Sequence, residues 1–197
     1  MNLVFLIGCD HKAAQTYPED SGLDDPKNET QKKFRELLIR SIKIYAPSLI
    51  AEESHLDALR SLKRRSVAFE VARQQQLRHI FCDPYGGERD SLEISDGPPG
   101  IPHEFDSRRR MQKYFSCEWP IREEFWIRKL GEDIYRRVLF VCGAGHRETL
   151  RRRIESRAIQ VKIIEKRFGV FNIWNGDFPA YKAAYRDLSR NGFLPVS

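Results

Sequence analysis

Short apolar runs alternate with longer amphipathic stretches along this chain. The amphipathic stretches have apolar residues at helical spacing, most clearly over residues 29–45. The short runs are bounded by polar or turn residues, as buried strands are. They cover residues 3–7, 49–51, 79–82, 138–142 and 161–165. Because strands that alternate with helices form βαβ units, the pattern predicts a single α/β domain over residues 1–197, with a mostly parallel central sheet and helices on both faces.

The remaining stretches predict further helices and two less regular regions. Residues 84–104 contain Gly-Gly and Gly-Pro-Pro-Gly runs, so they are predicted to be a loop-rich insertion or lid. The tail, residues 166–197, is rich in aromatic side chains and is predicted to pack on the domain. The other helices are expected over about 55–75, 105–115, 121–134 and 147–157.

The pattern Gly-x-x-His follows two of the predicted strands. It occurs as Gly-Cys-Asp-His at residues 8–11 and as Gly-Ala-Gly-His at residues 143–146. Glycine at a strand end lets the backbone turn sharply and approach a ligand closely, and ligands of open α/β sheets bind at the carboxyl ends of strands. Parallel strands would bring His11 and His146 into one pocket, where two imidazoles can bind a metal or transfer protons.

Ionisable residues follow two further strands. Glu52 and Glu53 come after the second strand and Asp83 after the third. An unpaired buried charge is costly, so these carboxylates are expected to have partners on the same edge of the sheet. Two histidines with carboxylates suit a catalytic divalent metal, and the same set without metal suits a general acid and base. Glu52 and Glu53 also suit a helix N-terminus, and Asp83 suits the start of a turn.

Arg122 and Trp126 lie one turn apart on a predicted helix. In one interpretation Arg122 reaches the site and binds a carboxylate, a phosphate or a catalytic glutamate. In the other, Arg122 forms a surface ion pair with Glu118 or Trp126 packs in the core. Arg89 raises the same question after Asp83. The other histidines have no supporting pattern and are interpreted as structural: His55, His79 and His103.

Composition narrows the class of protein. Hydrophobic residues make up 41% of the 197 and aromatic residues 11%, which argues against a mostly disordered chain. Four cysteines without CxxC spacing, no evident signal peptide and no long apolar run predict a reduced, cytoplasmic protein that does not enter membranes. The net charge of +6 permits binding of nucleic acid. However, the basic clusters at 63–65, 108–110 and 151–153 have acidic neighbours, which is typical of solvated helix faces.

The order of these motifs resembles that of the TraB/TIKI superfamily, which includes the GumN and pheromone-shutdown proteins. More distantly it is similar to the erythromycin-esterase and ChaN-like proteins. The resemblance covers about residues 1–165, and the run Val-Leu-Phe-Val-Cys-Gly-Ala-Gly-His at 138–146 is the closest match. The matching residues, in order, are the motif at 8–11, Glu52 or Glu53, Arg60, Asp83, Arg89, Arg122 and the motif at 143–146.

This resemblance implies a metal-dependent hydrolase, peptidase-like or esterase-like, that acts on a small-molecule or peptide substrate. His11, His146, Glu53 and Asp83 would hold or flank a divalent ion of the Mn, Co or Zn type. Glu52 is the rival of Glu53 because this strand ends in two glutamates. Asp83 would be a further ligand or would orient the ligands, and Arg122 would bind an anionic group of the substrate or the developing oxyanion.

Two other classes of function stay open at this point. ChaN-like relatives bind haem, so the same fold would also suit a non-enzymatic protein that binds a cofactor or an anionic ligand. The basic surface would suit an effector directed at nucleic acid. The sequence makes no prediction about the oligomeric state.

Overall fold

The computed structural model describes residues 2–10, 14–94 and 114–169. Its centre is a five-stranded sheet in which every neighbouring pair is parallel. Numbered along the chain, its strands are β1 (Leu3–Cys9), β3 (Leu49–Glu52), β5 (Arg78–Phe81), β6 (Arg137–Gly143) and β7 (Gln160–Phe168), in the spatial order β5-β3-β6-β1-β7. A separate antiparallel ribbon pairs β2 (Thr16–Pro18) with β4 (Arg64–Ser66). The predicted α/β class and parallel sheet are confirmed.

Helices cover both faces of the sheet. They are α1 (Glu29–Tyr45), α2 (Leu56–Ser61), α3 (Val67–Gln74), α4 (Gly87–Ser91), α5 (Trp119–Leu130) and α6 (Arg147–Glu155). Short 3-10 turns occupy Pro26–Asn28 and Gly131–Tyr135, and a π turn occupies Tyr114–Glu118.

The alternation of side chains along each strand divides the core into two layers. Phe5 and Ile7 of β1 pack with α1 and α3 on one face, whereas Val4 and Leu6 pack with α5 and α6 on the other. Because both faces are covered, the inner strands β1, β3 and β6 are apolar almost throughout rather than at alternate positions, whereas the edge strands β5 and β7 contain more polar residues. This explains why the strands are recognisable in the sequence as continuous apolar runs.

The two Gly-x-x-His motifs leave the sheet side by side. Strands β1 and β6 are neighbours, with Gly8 opposite Cys142 and Cys9 opposite Gly143. A Cβ atom at Gly8 would lie 2.6 Å from the carbonyl oxygen of Lys166, so glycine is required there by the approach of β7. The predicted juxtaposition of the two strand ends is thus confirmed, whereas His11 itself lies outside the described residues.

The single helix expected over residues 55–75 is wrong. The chain forms α2, then Lys63 adopts a φ of 50°, and β4 and α3 follow. Ser66 begins α3 by accepting a hydrogen bond from the Phe69 N–H, which satisfies a free donor of the first turn. Apolar spacing alone did not reveal the break, because both α2 and α3 contain buried apolar residues and neither Gly nor Pro separates the two helices.

Other boundaries also differ from expectation. Helix α5 begins at Trp119 and has Pro120 in its first turn, where the missing N–H costs nothing. Within the expected loop at 84–104, residues 87–91 form α4. Residues 95–113 and 170–197 lie outside the described residues. They include the second half of the expected lid, nearly all of the helix expected over 105–115 and most of the expected tail. None of the helices in the described ranges is both long and apolar enough to cross a membrane.

Three of the four thiols are expected to resist alkylation in the folded protein. Burial and the carboxylate of Glu53 raise the pKa of Cys9 and Cys142, and burial raises that of Cys82. Cys117 is exposed. A count with a chromogenic disulfide reagent should therefore find one thiol of four reactive before unfolding and all four in denaturant. Two or more fast-reacting thiols in the native protein would contradict this burial.

Stability is expected to fall in alkaline solution. Above the ordinary thiol pKa of about 9 the unfolded chain releases protons that the three buried cysteines retain. The unfolded state then binds fewer protons, so the free energy of unfolding decreases with pH by up to about 1.4 kcal/mol per unit and thiol. Urea unfolding between about pH 7 and pH 10 measures this slope. Cys142→Ala should make it shallower, and an unchanged slope in that variant would speak against the assignment.

Candidate functional site

Glu53 lies at the centre of a buried polar cluster at the carboxyl end of the sheet. Its backbone N–H donates to Val141 O at 2.8 Å, which extends the β3–β6 ladder by one residue. Its Oε2 accepts from the Gly143 N–H at 2.7 Å, and its Oε1 accepts from Arg122 Nη2 at 2.9 Å. The side chain is only 4% exposed. Glu53 therefore joins the second Gly-x-x-His motif to helix α5.

His146 lies between two carboxylates. Its Nδ1 is 2.9 Å from Glu123 Oε1, and its Nε2 is 3.5 Å from Glu53 Oε1. The ring also contacts two indoles, with centroid distances of 3.8 Å to Trp119 and 4.7 Å to Trp126. The imidazole side chain is 6% exposed. Its orientation is thus restrained by contacts on both ring nitrogens and on the ring itself.

Asp83 connects two arginines to the cluster. Its Oδ1 accepts from Arg122 Nη2 at 2.8 Å and from Trp126 Nε1 at 3.0 Å. Its Oδ2 accepts from Arg89 Nη2 at 2.7 Å. The result is a buried series of alternating charges, Arg89–Asp83–Arg122–Glu53, in which each charge has an opposite partner.

Arg122 combines parts of the two interpretations that the sequence left open. It reaches the cluster and contacts Glu53 and Asp83, and Trp126 is at the same time fully buried in the core. Arg89 is buried and contacts Asp83. The observed Nε and Nη2 contacts of Arg122 are directed at carboxylates of the protein itself.

Glu52 lies on the opposite face of the sheet from this cluster. Its Oε2 accepts from Gln15 Nε2 at 2.7 Å, and its Oε1 accepts from Ser66 Oγ at 2.6 Å. His79 Nε2 is 2.9 Å from Oε1, but the ring is not aligned to donate a hydrogen bond in that direction. Of the two neighbouring glutamates, the structure places Glu53 beside His146 and Arg122, and Glu52 in a separate group.

Sequence reasoning missed the residues that surround His146 from the helices. Glu123 is fully buried, and its Oε1 accepts from Trp119 Nε1 at 2.6 Å and from Thr149 Oγ1. Trp119 and Glu123 are one helical turn apart, as are His146 and Thr149, so spacing alone would allow each pair. No sequence signal links the two helices, because the His146–Glu123 contact depends on how α5 packs against α6.

The basic cluster at 151–153 is paired with acidic residues on α5 and α6. Arg151 contacts Glu148 and Glu155, Arg152 contacts Glu148, and Arg153 contacts Glu123 and Glu124. The pairs of Arg151 and Arg152 agree with the interpretation of this cluster as a solvated helix face, whereas Arg153 also contacts the buried Glu123. The cluster at 108–110 lies outside the described residues.

The histidine and carboxylate side chains of this cluster match a metal site only in part. His146 has the arrangement common for a metal ligand, since its Nδ1 contacts a carboxylate and its Nε2 faces another donor, Glu53 Oε1. Both oxygens of Asp83 already accept hydrogen bonds, and three of the donors are arginine nitrogens. This favours a role in which Asp83 orients other residues over one in which it binds the metal. His11 lies outside the described residues. Within residues 2–10, 14–94 and 114–169, no three His, Cys, Asp or Glu side chains are grouped as a metal site.

Gly145→Ala is expected to displace the Trp119 indole that packs against His146. A Cβ atom at Gly145 would lie 2.7 Å from Cη2 of Trp119, whose indole donates to Glu123 and contacts the His146 ring at a tilted angle. We expect a loss of about 1–3 kcal/mol in the free energy of unfolding and a changed tryptophan emission spectrum. Gly87→Ala is the matched control, because a Cβ there meets nothing within 4 Å. Equal stability of the two variants would show that the indole does not press on Gly145.

Comparison with known proteins leaves the resemblance at the level of a prediction. No family model matches the sequence, and neither the curated proteins nor the solved structures contain a match. A function for this protein is therefore proposed from the fold and from the cluster around Glu53 and His146.

Proposed function

We propose that this protein is a metal-dependent hydrolase whose reaction takes place beside Glu53 and His146. The observation that supports this most is the buried pair itself, with His146 Nε2 3.5 Å from Glu53 Oε1 at the carboxyl end of a parallel sheet. Imidazole and carboxylate are the groups that proteins use to bind catalytic metals and to transfer protons during hydrolysis. Ligands of open α/β sheets bind at this edge.

In this proposal His146 and His11 hold a divalent ion of the Mn, Co or Zn type. When bound, such an ion lowers the pKa of a water molecule and polarises the bond to be broken. Glu53 either completes the ligands or takes the proton of the attacking water. Its Oε2 is held by the Gly143 N–H, so Oε1 is the oxygen that faces His146.

Arg122 and Asp83 act as orienting groups in this scheme. Arg122 donates to Glu53 Oε1 and so fixes the position of the carboxylate that would act as base or ligand. Asp83 holds Arg122 through both Nε and Nη2, so the guanidinium has a fixed position. Arg122 was expected to bind the substrate or an oxyanion. Its contacts with Glu53 and Asp83 favour orienting the carboxylate instead.

The proposal is tested by metal content and hydrolysis in the wild type, His146→Ala and a control, His55→Ala. His55 is a suitable control because its ring stacks on Tyr85 and its Nδ1 accepts from the Asp57 N–H. The purified proteins are supplied with Mn²⁺, Co²⁺ or Zn²⁺ and assayed on chromogenic esters and fluorogenic peptides. We expect one ion per wild-type chain, and in His146→Ala the loss of that ion and of about 10²-fold or more in turnover.

Several outcomes would count against a hydrolase. A folded His146→Ala variant that binds metal and hydrolyses substrate like the wild type would contradict the assignment. Wild-type protein that neither takes up metal nor hydrolyses any substrate would do the same. A haem absorbance band lost with His146 would favour the cofactor-binding alternative, and steeply salt-dependent binding of nucleic acid would favour an effector.

A further inference from the structure

We propose that Glu123 is a positioning residue that fixes which nitrogen of His146 carries a proton. The proposal rests on the proposed function, in which His146 Nε2 is the atom that works at the reaction centre. Glu123 acts on the reaction centre through the imidazole of His146, which lies between Glu123 and Glu53. Its role therefore differs from those of Glu53, Arg122 and Asp83.

Hydrogen bonds from three directions hold the Glu123 carboxylate. Oε1 accepts from Trp119 Nε1 at 2.6 Å, one turn earlier on the same helix. It also accepts from Thr149 Oγ1 and lies 2.9 Å from His146 Nδ1, both belonging to the segment that begins α6. Oε2 accepts from Arg153 Nε at 3.3 Å. A fully buried carboxylate is stable only with such partners, so Glu123 is fixed before any substrate binds.

The chemistry of the two groups determines the direction of the His146 bond. An ionised carboxylate can only accept hydrogen bonds, so a bond at Nδ1 requires the proton to be on Nδ1. In the neutral imidazole, Nε2 then carries the lone pair and faces Glu53. The distances distinguish the two carboxylates, because 2.9 Å to Glu123 is a hydrogen-bond length whereas 3.5 Å to Glu53 is longer than the usual range.

Trp119 couples this arrangement to the rest of the site. The same indole donates to Glu123 and lies 3.8 Å from the His146 ring, measured between centroids. Glu123, His146 and Trp119 thus restrain one another, and loss of the Glu123 charge would release the imidazole on its Nδ1 side. This is how outer carboxylates orient histidines in metal and acid–base sites.

Glu124 provides a matched control on the next position of the same helix. Its two oxygens accept from Arg157 Nη2, each at 2.7 Å, and its side chain is 35% exposed. Glu124→Gln removes one negative charge from α5, as Glu123→Gln does, but from a surface ion pair. Such pairs contribute little to stability, and this one does not involve His146.

The experiment reads the proton position directly from ¹⁵N-histidine spectra of the full chain at about pH 8, above the ordinary histidine pKa. We expect a proton on His146 Nδ1 in the wild type and in Glu124→Gln. In Glu123→Gln the amide can donate as well as accept, so we expect the form with the proton only on Nε2 to become populated. With a substrate in hand, Glu123→Gln should lower kcat by about 10–100-fold and change KM little.

The outcomes separate this proposal from the hydrolase assignment. A wild-type His146 without a proton on Nδ1 would overturn the role of Glu123, and this measurement needs no variant to fold. A folded Glu123→Gln protein with an unchanged proton position would overturn it as well. If the proton shifts in Glu123→Gln but the wild type neither binds metal nor hydrolyses any substrate, the positioning role stands and the proposed function fails.

Discussion

Asp83→Ala is expected to lower the free energy of unfolding by about 3–5 kcal/mol, because it removes the carboxylate that Arg89 and Arg122 share in a buried site. Arg122 and Arg89 are 8% and 10% exposed, and both donate to Asp83. Trp126 Nε1 would lose its acceptor as well. The cost of such a substitution is large because the guanidinium groups cannot regain water where they lie.

Urea unfolding measures this loss against a surface control, Asp57→Ala. Asp57 pairs with Arg60 at 3.4 Å, and the two side chains are 59% and 70% exposed, so its removal should cost less than about 1 kcal/mol. Both substitutions remove an aspartate from an ion pair with arginine, so the difference between their free energies of unfolding measures the effect of burial. Similar values for both would mean that the charges around Asp83 are hydrated in solution.

Glu53→Gln is expected to lower turnover by about 10²–10⁴-fold if the protein acts as proposed, because an amide neither takes a proton nor binds a metal as a carboxylate does. Glu52→Gln should leave turnover close to that of the wild type, since Glu52 lies on the other face of the sheet. It should instead lower stability by about 1–3 kcal/mol, because the new NH₂ group would face the Gln15 or Ser66 donor.

Metal content in Glu53→Gln distinguishes the two roles that remain for Glu53. Retained metal with lost turnover would assign Glu53 as the base, and loss of both would assign it as a ligand. If Glu52→Gln loses turnover and Glu53→Gln keeps it, the site lies on the α1 and α3 face and the assignment is wrong. Assays of both variants at equal folded fraction remove the effect of stability.

Glu52 and Glu53 show how much of the site can be predicted from the sequence. Neighbouring residues of a strand point to opposite faces, so the sequence alone indicates that Glu52 and Glu53 diverge. Which face carries His146 depends on the side from which α5 and α6 cover the sheet. The contacts that determine this join residues 69 and 90 positions apart, Glu53 with Arg122 and with Gly143.

The contact of Glu123 with His146 could not be predicted from the sequence, for a different reason. Arg122, Glu123 and Glu124 form an unbroken run of charges, and helical geometry turns each of them in a different direction. Arg122 contacts Glu53, Glu123 contacts His146, and Glu124 contacts Arg157. The rotation of α5 about its own axis decides these partners, and packing against the sheet sets that rotation.

The sequence by itself determined the α/β class, the approximate positions of the five strands and the ionisable residues at their ends. These depend on apolar runs and turn residues, which act over a few neighbouring positions. Only the tertiary structure decided the strand order, the break between α2 and α3, and the partners of each charge in the buried cluster. Those features depend on which distant elements pack together, and a buried charge is stable only beside the partners that this packing brings to it.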